Sequence, residues 1–220
     1  MEAKTFHTTV PVSYQLSYWQ HRPDGIDEPS PLVIFLHGSG ERGDDLDLVT
    51  VHGPAKQAKS GQQLPFVLVA PQCPADSWWT WQLEALDALL DELLADHTID
   101  PDRVYLTGLS MGGIGAWEYA IRHPERLAAL VPICGATGHW NAGRLTRVPI
   151  WAFHNTDDPA VPIDGTTAIV EELRRAGGDV RATINATGGH DAWSAAYDDP
   201  ALYEWMLQQR RRPAAESADR

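Results

Sequence analysis

Cysteine is nearly missing from this sequence: its 220 residues include only Cys73 and Cys134. Two cysteines cannot build the disulfide framework of a small secreted scaffold, and neither has a CxxC neighbour or a histidine at metal-ligand spacing. Both are expected to be buried free thiols. Long apolar runs are missing as well. No segment approaches the roughly 20 apolar residues that a membrane-spanning helix needs. The opening residues, Met-Glu-Ala-Lys-Thr, have neither the basic nor the apolar region of a secretory leader, so a cytoplasmic location is expected.

Positive charge is scarce. Lys and Arg number 17 against 30 Asp and Glu, a formal charge of -13. Four of the arginines lie at or beyond Arg210, which leaves residues 1–209 with 13 basic side chains against 28 acidic ones. A body of that sign repels phosphate backbones and anionic headgroups, so nucleic acid and membrane surfaces are excluded as expected partners. Glu84, Asp87, Asp91, Glu92, Asp96, Asp100 and Asp102 follow one another with no Lys or Arg between them and read as the wet face of a helix.

What is present is globular: 43% hydrophobic and 21% charged residues, in a length that suits one α/β domain. Residues 6–18 place Phe6, Val10, Val12, Tyr14, Leu16 and Tyr18 on even positions, which predicts one or two antiparallel edge strands around Pro11. Leu32–Leu36, Phe66–Ala70, Val104–Thr107, Leu130–Cys134 and Ile150–Phe153 are short continuous apolar runs, the pattern of parallel strands buried on both faces. Between them, Leu83, Leu86, Leu90, Leu93 and Leu94 recur at helical spacing, with Leu89 widening the stripe. Further helices are predicted after Ser110, at about 166–176 and at about 200–209, with a last strand over Val180–Ala186. The order predicts a single α/β domain over residues 1–210: a mostly parallel sheet with an antiparallel amino-terminal edge and helices on both faces. Residues 211–220 lack periodicity and are expected to fray. No feature sets an oligomeric state.

In such a sheet, chemistry belongs in the loops at the carboxyl ends of the strands. Gly108-Leu109-Ser110-Met111-Gly112-Gly113 follows a predicted strand and opens a predicted helix, which is the strand-turn-helix setting of a G-x-S-x-G nucleophile. Glycines flank Ser110 because the tight turn brings neighbouring backbones where a Cβ would clash. A serine hydroxyl needs an adjacent base. His190 follows Gly188-Gly189 at the end of the last strand and is the favoured base; His52 and His139 also lie in loops and stay open on pattern alone. The base needs an acid to hold its tautomer. After Ile150–Phe153 comes His154-Asn155-Thr156-Asp157-Asp158-Pro159, with two adjacent carboxylates, one for the imidazole and one for solvent. Oxyanion donors are expected from the Met111 N–H and from the loop His37-Gly38-Ser39-Gly40-Glu41-Arg42-Gly43, in which Glu41 and Arg42 are expected to form a bracing ion pair.

At the acid loop the chain resembles the α/β-hydrolase superfamily, whose pattern HGxxDxxVP, matched at His154 and Val161-Pro162, implies Asp158 as the acid, with Asn155 in place of glycine. The chain order Ser110, Asp158, His190 is that of the same superfamily. LHGSGERGDDL at 36–46, APQCP at 70–74, GLSMGG at 108–113 and GGHDAW at 188–193 resemble the small lidless esterases related to dienelactone hydrolases and phospholipase/carboxylesterases, and their relatives among predicted peptidases, feruloyl esterases and polyhydroxybutyrate depolymerases. The resemblance implies Ser39 as the second oxyanion donor, with Gly40 as its alternative. It also implies a serine carboxylesterase acting on a small-molecule ester, without metal or cofactor. Ser110 stands where dienelactone hydrolases proper carry cysteine, which favours ester over lactone substrates.

Only about 15 residues separate Cys134 from Pro149, too few for a helical cap. Of nine tryptophans, Trp78, Trp79, Trp81, Trp140 and Trp193 are predicted on the rim, with Trp78, Trp79, Trp193 and Gly40 as substrate contacts; Trp117, Trp151 and Trp205 read as core. An acyl-thioesterase or protein deacylase is the second reading, and a hydrolase-fold binding module without turnover is the third.

Overall fold

Apolar runs without alternation can be covered on both faces only in the middle of a parallel sheet, and that is where they lie in the computed structural model, which describes residues 2–9, 11–25 and 28–212. Strands β1 (Tyr18–His21), β2 (Ser30–Leu36), β3 (Val67–Pro71), β4 (Ile99–Leu109), β5 (Ala129–Ile133), β6 (Ile150–Asn155) and β7 (Val180–Asn185) form one sheet in the order β1-β3-β2-β4-β5-β6-β7. β1 alone runs antiparallel, pairing Trp19 with Ala70. Every residue of β2, β3, β5 and β6 is buried.

The pleat divides the core in two. Leu32, Ile34 and Leu36 of β2 face α2 (Leu83–Leu94), α3 (Met111–Arg122) and α4 (Asp164–Arg175), whereas Val33 and Phe35 face α1 (Gly53–Lys59), α5 (Trp193–Asp198) and α6 (Pro200–Leu207). The leucine stripe of α2 is buried as its spacing predicts. Its acidic face is less wet than expected. Six of the seven acids find partners far along the chain: Glu84 with Arg122, Asp87 with Tyr119 and Arg126, Asp91 with Arg126, Asp96 with Arg22, Asp100 with Arg210 and Asp102 with Arg211. Proximity in sequence hides such pairs because the partners belong to other elements.

Two further expectations are corrected. The alternating stretch 6–18 enters the sheet only at Tyr18; Phe6, Val12 and Tyr14 are exposed, and Val10 lies outside the described residues. An alternating pattern needs a partner strand with free edge groups, and β1 uses the single free edge of β3 over residues 18–21. At the other end, Arg211 donates from its backbone N–H to Asp102 O at 2.9 Å, and Arg212 reaches Asp179 at 2.9 Å, so both are anchored. The rest of the predicted fraying tail, 213–220, lies outside the described residues. The connection between β5 and β6 holds only the 3-10 turns His139–Leu145.

Candidate active site

Strand register brings the loops after β2, β4, β6 and β7 together at one end of the sheet: Leu36 is level with Gly108, Leu109 with Ile133, and Ile133 with Phe153. β4 ends at Leu109, and the next residue, Ser110, has a φ of 53° and a ψ of -119°, a region that L residues rarely adopt. The strain is held from both sides. A Cβ on Gly108 would collide with the Gly112 carbonyl, and one on Gly112 with the carbonyls of Leu36 and His37. The turn is as tight as those two glycines allow, and the Ser110 N–H is tied down by Ile133 O at 2.9 Å. α3 then starts at Met111, and the first N–H groups of a helix have no acceptor within it.

His190 reaches this serine from the β7 end. Its Nε2 lies 2.8 Å from Ser110 Oγ and its Nδ1 lies 2.7 Å from Asp158 Oδ2. Asp158 is buried at 8% exposure, and Ala160 and Val161 donate their N–H groups to its Oδ1 at 2.8 and 2.9 Å. Burial alone raises this carboxyl, but the hydrogen bonds from His190, Val161 and Ala160 outweigh it and hold Asp158 below the usual carboxylate range. Asp157, the neighbouring carboxylate, is exposed to solvent, as expected, and turned away from the imidazole. It accepts the N–H groups of Gly188 at 3.3 Å and Gly189 at 2.8 Å. Asn155 joins it by donating to Gly189 O at 3.1 Å. These contacts fix the two glycines that carry His190, a role that sequence spacing does not reveal because the partners are about 30 residues apart.

The loop after β2 lies against the nucleophile turn: a Cβ on Gly38 would sit 3.8 Å from that of Ser110. Ser39 and Gly40 follow it, both exposed, in a 3-10 turn, Ser39–Glu41. His37 anchors the loop from below. It is buried, its Nε2 accepts the Cys73 N–H at 3.0 Å and its Nδ1 lies 2.6 Å from Gly38 O. Burial pushes its pKa down to about 4, against the Gly38 hydrogen bond, so the ring is neutral with its proton on Nδ1. The expected Glu41–Arg42 brace takes another form. Arg42 donates to Ser39 O at 3.0 Å and Ser77 O at 3.1 Å and lies over the Trp78 ring at 5.2 Å.

The aromatic rim is smaller than predicted. Trp79 is fully buried, donates from Nε1 to His37 O at 3.0 Å and packs on Gly115, so it supports the loop from inside the core and has no surface for substrate. Trp193 stands edge-on to His190 at 5.4 Å, with His52 on its other side at 5.4 Å. Trp78, Trp81 and Trp140 are exposed. Of the histidines left open by pattern, His52 comes near the site through Trp193, and His139 lies beside Trp140. A Cys134 sulfur, an Asp158 oxygen and a His190 nitrogen also lie within 4.8 Å of one another. All three atoms belong to hydrogen bonds within the site: Cys134 Sγ accepts from the Ser110 N–H at 3.3 Å, and the other two face each other and the serine.

Three comparisons bear on this geometry. Residues 80–199 match the model of the phospholipase/carboxylesterase family. The chain is 30% identical over 135 residues to a poly(3-hydroxyalkanoate) depolymerase C of Paucimonas lemoignei, covering 54% of this chain and 31% of that protein. It is 27% identical over 161 residues to a bifunctional acetylxylan esterase/xylanase of Neocallimastix patriciarum, covering 70% of this chain and 23% of that one. The chain thus spans between about a quarter and a third of the length of these two relatives. Among solved structures, a thermostable esterase superposes with a TM-score of 0.79 at 34% identity, over 89% of this chain and 60% of that one.

Proposed function

From a chain that belongs to the phospholipase/carboxylesterase family of α/β-hydrolases, we propose a serine carboxylic ester hydrolase that works through Ser110, His190 and Asp158. One observation carries the reading: a single imidazole spans the serine and the buried acid, at 2.8 Å and 2.7 Å. Asp158 keeps the His190 proton on Nδ1, which leaves Nε2 free to take the Ser110 proton. Ser110 Oγ attacks the ester carbonyl, and the N–H groups of Met111 and Ser39 receive the developing oxyanion, each contributing about 3 kcal/mol. His190 returns the proton to the departing alcohol. Water then attacks the acyl-enzyme with His190 again as base, and the acid leaves.

The substrates are small to medium esters, including aromatic and sugar-linked ones, that contact Gly40, Trp78 and Trp193. The poly(3-hydroxyalkanoate) depolymerase and the acetylxylan esterase among the relatives support esters carried on larger groups. Ser110→Ala is expected to lower hydrolysis of a short-chain p-nitrophenyl ester by at least about a thousandfold, measured by steady-state kinetics; retention of most activity would reject the assignment. A panel of acetyl, butyryl, octanoyl, feruloyl and sugar esters, run beside a matched acyl-thioester, is expected to favour the oxygen esters.

A further inference from the structure

The acid loop holds a second imidazole that the proposed reaction leaves unused. The side chain of His154, near the end of β6, has no exposed surface, and its Nε2 lies 3.2 Å from Asp158 Oδ2, the same oxygen that faces His190. Nε2 also lies 2.9 Å from Val161 O. Both neighbours of that nitrogen are acceptors, so Nε2 carries a proton; it is donated to Val161 O, and Asp158 Oδ2 stands close beside the N–H. On the opposite edge, Nδ1 lies 2.8 Å from Thr166 Oγ1, and that hydroxyl is 2.7 Å from Gly135 O. Gly135 in turn packs on the backbone of Gly113, in the first turn of α3 just after Ser110.

The Asp158 carboxylate is therefore held at both of its oxygens. Oδ1 takes the N–H groups of Ala160 and Val161, while Oδ2 faces His190 and His154. Two N–H donors on Oδ1 and two imidazole edges against Oδ2 leave the carboxylate little freedom to turn. Resting on the triad reading above, we propose that His154 is a positioning residue. It holds Asp158 Oδ2 in line with His190 and couples the acid loop to the nucleophile turn through Thr166 and Gly135.

Packing alone does not call for this side chain, since an apolar residue would fill the site without the cost of burying two ring nitrogens. The positive end of the Nε2–H dipole beside Oδ2 also offsets part of the carboxylate charge that His190 meets, which moderates how strongly Asp158 stabilises the imidazolium. Other titratable groups nearby do not compete. The Cys134 thiol, facing from the end of β5, is pushed up to about 12 by burial and is uncharged. Asp157 is turned to Gly188 and Gly189, and Asp191 to Ser194.

The test compares His154→Leu with His154→Gln, whose amide can donate from nearly the place of Nε2, using p-nitrophenyl butyrate with active sites counted by a fluorophosphonate. Misplacing a catalytic partner costs up to about a hundredfold. His154→Leu is expected to lower kcat about tenfold or more with KM changed less than about twofold, and to move the acid limb of the kcat/KM pH profile to higher pH. His154→Gln is expected to recover most of the rate. Thr166→Val, which frees the far edge of the ring, is expected to lower kcat about threefold and answers the same question if the leucine variant does not fold. Wild-type kcat and an unmoved acid limb in folded His154→Leu or Thr166→Val would overturn the proposal, as would a glutamine variant no better than leucine. An inactive wild type would instead reject the triad reading itself.

Discussion

Two histidines with opposite duties sit within the same group of loops. His190 is half-buried and faces a hydroxyl that it can deprotonate, whereas His37 is buried, neutral and committed to backbone groups on both ring edges. That contrast has a consequence for stability. The His37 pKa drops from 6.5 to about 4 because burial penalises the charged ring. As pH falls below 6.5 the unfolded chain binds this proton and the folded chain does not, so the stabilisation is complete above 6.5 and is lost progressively down to about pH 4. Between pH 7 and pH 4.5 wild type is expected to lose about 2 to 3 kcal/mol more unfolding free energy than His37→Gln, whose amide oxygen can still accept the Cys73 N–H. Urea denaturation at both pH values measures the difference; parallel losses in the two proteins would contradict it.

Among elements, the β6–α4 loop divides its labour between adjacent carboxylates. Asp158 is buried and bonded to His190, while Asp157 carries the Gly188-Gly189 turn that delivers His190. Asp158→Asn is expected to lower kcat by about four orders of magnitude, because the amide favours the wrong imidazole tautomer. Asp157→Asn removes charge from two amide hydrogen bonds on an exposed loop and is expected to cost no more than about tenfold. Steady-state kinetics of both variants decide the matter, and a larger loss at Asp157 would reverse the assignment. Elements with two or more turns of periodicity were readable in advance, as α2 demonstrates. The short helices α1 and α5, with seven and six residues, carry too few turns to reveal a buried stripe. Residues 6–18 alternate like a strand, but the edge of β3 takes only Tyr18–His21.

At the scale of the whole molecule, the parallel sheet and its two covered faces follow from five apolar runs and a last strand, separated by helical patterns. Ser110, Asp158 and His190 were legible because each ends a strand in a turn whose residue types serve the chemistry. Trp79 was misread because tryptophan in a loop sequence can point inward, and the Trp79 ring fills the space beneath His37. The roles of Asp157 and His154 were not legible from their spacing, since they depend on contacts with Gly188, Gly189 and Thr166 that only folding brings close. Four short loops meet at one end of the sheet to form the candidate site. The central claim is that Ser110 is an activated nucleophile, and intact-mass spectrometry after brief exposure to a fluorophosphonate tests it most directly. A single adduct per chain, mapped to Ser110 and lost in His190→Ala, is the predicted result; an unmodified chain, or an adduct on another residue, would contradict it.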